Sequence, residues 1–83
     1  MTLLLLRNIL MFLEEAMPLE HFDNNRLSAE ALGMGIPLWG RVMKLLVDND
    51  MITGVEIDNE GSYPKAQLYY PEITLKGLEY LHR

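Results

Sequence analysis

The chain has 83 residues, of which 49% are apolar and 23% charged, with a formal net charge of −5 at pH 7. That length holds one small core, so residues 1–83 are read as a single domain, and the composition excludes a disordered chain. The absence of cysteine excludes a disulfide framework and any thiolate metal site and fits a reducing cytoplasm, while the acidic balance argues against a large basic surface.

The opening run MTLLLLRNILMFLEEAM is predicted to be a first helix, from Leu3 to Met17, ending before Pro18. It lacks the positive leader and small-residue cleavage site of a signal peptide. It is also too short to cross a bilayer, which takes about 20 apolar residues. At about 100° per residue, Arg7, Asn8, Glu14 and Glu15 share one narrow arc, but Leu4 and Met11 fall on it too. The remaining face is wider than the apolar stripe of an ordinary surface helix. Such a helix is either sandwiched inside the domain or meets a partner.

From Pro18 to Asn25 the chain is polar and turn-rich. Arg26 and Leu27 read as a short extended piece. Ser28 is placed to cap a brief helix, Ala29 to Leu32, which Gly33 stops in the left-handed conformation. A third helix is expected to start with Pro37 in its first position and to run to about Asn49. Its core stripe is read as Leu38, Val42, Leu45 and Leu46, flanked by Trp39 and Met43. Gly40, Arg41, Lys44 and Asp48 are expected on the other side.

The last third is β-rich. MITGVEID alternates Val55 and Ile57 inward with Glu56 and Asp58 outward. NEGSYPK is a turn, and AQLYYPEI returns as the second strand of a hairpin. Pro71 has no N–H and belongs at a strand end or a sheet edge. Thr74 then caps a last helix, Leu75 to His82, with Ile73 and Leu78 at the spacing of a hydrophobic staple. Leu75, Leu78 and Leu81 are expected to face the first helix, with Gly77 where the two helices come close.

The order is helix, short strand, helix, helix, strand, wing, strand, helix. That is an α+β chain on the winged helix-turn-helix plan. Four stretches carry a narrower likeness: Leu27 to Gly33 (LSAEALG), Trp39 with Leu45-Leu46, Met51 to Val55 (MITGV), and Ile73 to Leu81 (ITLKGLEYL). In these the sequence resembles the YjcQ family of small bacterial and prophage winged-helix proteins. The likeness runs from about Ser28 to the end, and the first helix fits by pattern alone. It implies a winged helix and a DNA-linked, transcription-regulator-like role, and it supplies no binding residues. One departure stands out: the third helix opens Gly35-Ile36-Pro37, without the Ser, Thr or Asp cap common there.

No catalytic constellation is present. His21 and His82 lie in different elements. Glu20 to Asp23 (EHFD) reads as a solvated loop rather than a cation site, and Gly33-Met34-Gly35 lacks the rest of a phosphate-loop fingerprint. The chain is therefore expected to be no enzyme, with no metal, cofactor or small-molecule substrate, and to need no membrane. Double-stranded DNA is one candidate partner. In a helix-turn-helix the second helix enters the major groove, which makes Pro37, Gly40, Arg41 and Lys44 the reading face. Arg41 could pair with guanine, and Lys44 and Lys65 could take phosphates. Two cations on an exposed helix are also ordinary solubility residues. Charge opposes this reading: between Leu27 and Ala66, three cations face six anions, a net of −3. The rival is a non-catalytic interaction or dimerisation module on the same fold. Its surface would be the exposed Leu4 and Met11, with Met34, Trp39 and Tyr63 as a second apolar area; a homodimer through Leu4, Met11 and Leu78 is expected and fits either reading.

Overall fold

Burial of apolar side chains at helical spacing fixes how the elements meet. The computed structural model describes residues 2–20 and 23–83, with the side chains of Thr2 and Leu3 outside the description. His21, and with it the middle of the Glu20–Asp23 loop, lies outside the described residues. The described residues form helix α1 (Thr2–Ala16), a 3-10 turn (Asn24–Leu27), helix α2 (Ile36–Asp48), strands β1 (Ile52–Asp58) and β2 (Lys65–Ile73), and helix α3 (Leu75–Leu81). The fold is α+β, three helices with a two-stranded antiparallel sheet.

The core joins Leu6, Ile9, Leu10 and Leu13 of α1 to Leu27, to Val42, Met43 and Leu46 of α2, to Ile52 and Ile73 of the sheet, and to Leu81 of α3. Each such side chain contributes about 1.5–3 kcal/mol on burial. On α1 the polar arc is outside as expected, and Leu4 and Met11 are exposed with it at 59% and 43%. The Arg7 guanidinium donates to the Leu81 carbonyl at 2.9 Å. A cation thereby sits on the C-terminal carbonyls of α3, where the helix dipole favours it.

Two expected elements differ. Arg26 and Leu27 are not extended. Asp23 accepts from the Asn25 N–H at 3.0 Å and starts a 3-10 turn. The Leu27 side chain is fully buried, and its carbonyl accepts from Trp39 Nε1 at 2.9 Å. The Asn24 amide donates to the carbonyls of Leu68 and Tyr69, both at 3.3 Å, so a side chain meets β2 where a strand was expected. The expected helix Ala29–Leu32 is a turn rather than a helix. The Ser28 hydroxyl does accept from the Ala31 N–H. Gly33 N–H to Glu30 and Met34 N–H to Ala29 then close the turn, with Gly33 at φ +69°. Those two bonds are a Schellman motif, and they use up the residues a longer helix would have needed.

A second Schellman motif ends α2. Asp50 N–H bonds the Val47 carbonyl and Met51 N–H bonds that of Leu46. Here the left-handed residue is Asp50, at φ 57°. The chain then enters the sheet directly. Thr53 pairs with Glu72 and Val55 with Leu68, so Gly54 alone faces Tyr69, Tyr70 and Pro71. This wide bulge accommodates a proline inside β2, because the ladder is already interrupted there. Gly54 has φ +78°, and a Cβ on it would lie 1.9 Å from the Tyr70 carbonyl oxygen. Thr74 caps α3 as expected, its hydroxyl accepting from the Gly77 N–H at 3.1 Å. Ile73 is buried and Leu78 packs against the core.

Three packing expectations are corrected. The inward face of α2 carries Trp39, Gly40, Val42, Met43 and Leu46, whereas Leu38 and Leu45 are 41% and 45% exposed. Leu75 is 73% exposed and does not face α1. Gly77 makes a close approach to the Met51 carbonyl and the Ile73 side chain, not to α1.

Candidate interaction surfaces

The outward face of α2 has Arg41 at its centre, exposed and with no ion-pair partner among the described residues. Leu38 and Leu45 lie along the same face, three and four residues away, and Ile36 is 60% exposed at the helix start. Pro37 is exposed beside it, in the second helical position rather than the first. Gly35 is the N-cap and offers no side-chain bond, in line with the expected lack of a polar cap. Lys44 is tied to Asp48 one turn on, so its charge is partly neutralised on the spot. Gly40 is buried and does not belong to the outward face. A Cβ there would lie 1.9 Å from the Pro64 carbonyl oxygen, because the end of the turn between β1 and β2 rests on the helix at that point.

The hairpin adds little positive charge. Lys65 is exposed and stands opposite Asp58 in the strand register. Glu56 and Asp58 are exposed on β1, with Glu60 in the turn beyond. Asp58 accepts from the Glu60 N–H at 2.9 Å. Glu56 accepts from the Tyr69 hydroxyl across the sheet, also at 2.9 Å. That hydrogen bond, with desolvation and the carboxylate's charge adding to it, holds the Tyr69 phenol above its ordinary value of 10.0.

A third surface was not legible in the residues. Where α1 ends, Leu13, Ala16 and Met17 meet Leu19, Glu20 and Asn24 on one side and Tyr69 to Ile73 of β2 on the other, enclosing a cleft of about 370 Å³. Met17, Leu19, Tyr69 and Tyr70 expose 58%, 62%, 47% and 82% of their surface around it. The bulge opposite Gly54 breaks the in-out alternation of β2, so Tyr69 and Tyr70 are both exposed. Tyr69, Tyr70 and Pro71 are visible in the sequence, but nothing in it sets them opposite Gly54.

The proposed dimer residues divide. Leu4 and Met11 are exposed, while Leu78 is only partly so and packs against the core. Glu14 and His82 join α1 to the end of α3 at 2.7 Å. Of the second apolar area, Met34 and Trp39 pack against the core, and Tyr63 is half-buried in the turn between β1 and β2. Among the described residues no group of three His, Cys, Asp or Glu side chains could hold a metal ion. Nor is any described helix long and apolar enough to cross a membrane.

Compared with known families, residues 8–83 match the family model described as YjcQ protein. No curated protein and no solved structure matches the chain.

Proposed function

The chain belongs to the YjcQ family, and from that premise we propose that it is a winged-helix module that acts by binding other proteins, without catalysis. The turn Ser28–Met34 followed by α2 corresponds to a helix-turn-helix whose first helix has shrunk to one turn. The hairpin β1–β2 is the wing, and α1 and α3 close the back of the domain.

The observation that carries the reading is the composition of the outward face of α2. A helix that reads a major groove depends on phosphate neutralisation for most of its affinity. Here that face is Leu38, Arg41 and Leu45, its lysine is held by Asp48, and the wing beside it presents Glu56 and Asp58. Apolar side chains around a single arginine suit a protein interface, whose core is depleted of other charges and enriched in arginine.

One observation favours DNA binding as a second reading: Arg41 is exposed and unpaired among the described residues, at the position from which a guanine edge could be reached. Titration of labelled mixed-sequence duplexes at low salt, with wild type and Arg41→Ala, separates the two. The interaction reading expects no binding that Arg41→Ala removes. Saturable binding that Arg41→Ala weakens, with a log–log salt slope near −3.6 for a dimer neutralising about four phosphates, would establish the second reading instead.

A further inference from the structure

We propose that the cleft between the end of α1 and the bulge of β2 is a docking site for a short basic peptide segment, one that places a bulky apolar side chain beside a lysine or arginine. The inference rests on the interaction reading and adds a second surface, apart from the outward face of α2, with the class of partner it takes.

Three features point to this occupant. The first is the apolar rim. Met17, Leu19, Tyr69 and Tyr70 are four of the chain's exposed large apolar residues, and they converge on one cleft of about 370 Å³. A bulky side chain fits such a volume. A free small molecule held inside it would leave Tyr70, at 82% exposure, largely uncovered. A peptide that crosses the rim covers it.

The second feature is charge. The described lining contains the carboxylates Glu20 and Glu72 and no lysine or arginine. An acidic segment would be repelled there, and a neutral one would forgo the attraction. Complementary charge sets the choice of partner and its rate of encounter more than raw affinity.

The third feature is that the β2 side of the cleft is held before any partner arrives. The Tyr69 hydroxyl is held by Glu56, the Tyr70 backbone carbonyl packs directly against Gly54 in the bulge, and Asn24 holds the backbone of β2 through two carbonyls. Preorganised aromatic side chains lose little entropy on binding, which is why tyrosine is favoured at recognition surfaces.

The test uses the full chain and three fluorescein-labelled peptides of about ten residues, long enough to span roughly 30 Å when extended. Each carries Leu and Phe, and the intervening residues are Lys/Arg, Ser or Glu. Anisotropy titrations should rank the basic peptide at least about tenfold tighter than the acidic one. Tyr70→Ser with Met17→Ser should weaken it by about tenfold or more, with the circular dichroism spectrum unchanged. Glu20→Gln with Glu72→Gln should leave binding to the Ser peptide unaltered and remove the preference for the basic one. Leu38→Ser with Leu45→Ser asks whether the outward face of α2, rather than the cleft, holds the peptide. If the basic peptide binds but responds to the α2 variant and not to the cleft variant, the cleft is rejected and the interaction reading stands. If no peptide binds, the cleft proposal is overturned, and Arg41-dependent binding of DNA under the same conditions would remove the interaction reading as well. A shift from dimer to monomer on Tyr70→Ser, without an effect on peptide binding, would reassign the cleft to a second copy of the chain.

Discussion

Gly40 of α2 lies so close to Pro64 that a Cβ on it would sit 1.9 Å from the proline carbonyl oxygen and 3.0 Å from the carbonyl carbon. The obstacle is backbone, which cannot rotate away as a flexible side chain could. Hairpin and helix are therefore spaced by a missing methyl group. Gly40→Ala should push the hairpin off α2 and cost about 1–3 kcal/mol, the usual range for overpacking. Gly77 poses the same question: at either helix position alanine would gain about 1 kcal/mol over glycine in propensity. Its Cβ would lie 2.4 Å from the Met51 carbonyl oxygen and 2.7 Å from Ile73 Cγ1. Sterics should win, and Gly77→Ala should lower the urea midpoint rather than raise it.

The hairpin and the α3 cap were legible because their causes are local. Val55 and Ile57 alternate with Glu56 and Asp58, and Thr74 has the side chain to cap its own helix. The rotation of α2 was not legible. Leu38 and Leu45 are as apolar as Val42 and Leu46, so pattern alone could not choose between them. The choice falls to two long-range contacts, Gly40 against Pro64 and Trp39 Nε1 to the Leu27 carbonyl. The same tryptophan bond bears on the misread strand: it binds the Leu27 carbonyl at the end of a 3-10 turn, where an extended piece was expected. Of the candidate DNA residues, Arg41, Pro37 and Lys65 are exposed as foreseen, whereas Gly40 is buried. The cleft depended on a bulge whose register the sequence does not state.

Asp50 holds the left-handed position that closes α2, at φ 57°. A residue with a Cβ pays about 1–2 kcal/mol there, although aspartate pays less than most. Its contact with Lys76 at 3.8 Å is between two well exposed side chains, and such pairs contribute little. Asp50→Gly should therefore raise stability by about 0.5–1 kcal/mol. Unchanged or reduced stability in chemical denaturation would mean that the aspartate side chain supports the turn in some other way.

Tyr69 should titrate above the ordinary tyrosine value, chiefly because its hydroxyl donates to Glu56. A phenol whose value is raised by folding stabilises the fold while it is protonated. That contribution is complete below pH 10.0 and is lost as the pH rises through the folded value. Ultraviolet titration of the chain's four tyrosines, repeated with Tyr69→Phe, isolates this group. Glu56→Gln should bring the Tyr69 transition down toward the ordinary range. If that variant leaves the transition where it was, the cross-strand bond does not persist in solution.

Leu4 and Met11 occupy one line of α1 and are 59% and 43% exposed. Neither has a place in the core, and the helix around them carries more apolar surface than the domain covers. A symmetric pairing of two α1 helices, with α3 alongside, would cover both residues at once, since in an isologous contact each patch meets its own copy. A stable interface takes about 800 Å² from each partner, roughly one seventh of the 5658 Å² exposed by this chain. The expected result is a dimer in sedimentation equilibrium, and a folded monomer when Leu4 and Met11 are both changed to Glu. Leu78, which packs against the core, should matter less to assembly and more to stability, so Leu78→Ala should lower the unfolding midpoint while leaving the dimer intact. Wild-type protein that sediments as a monomer at high micromolar concentration would rule the dimer out and leave the α1 stripe free for a different chain.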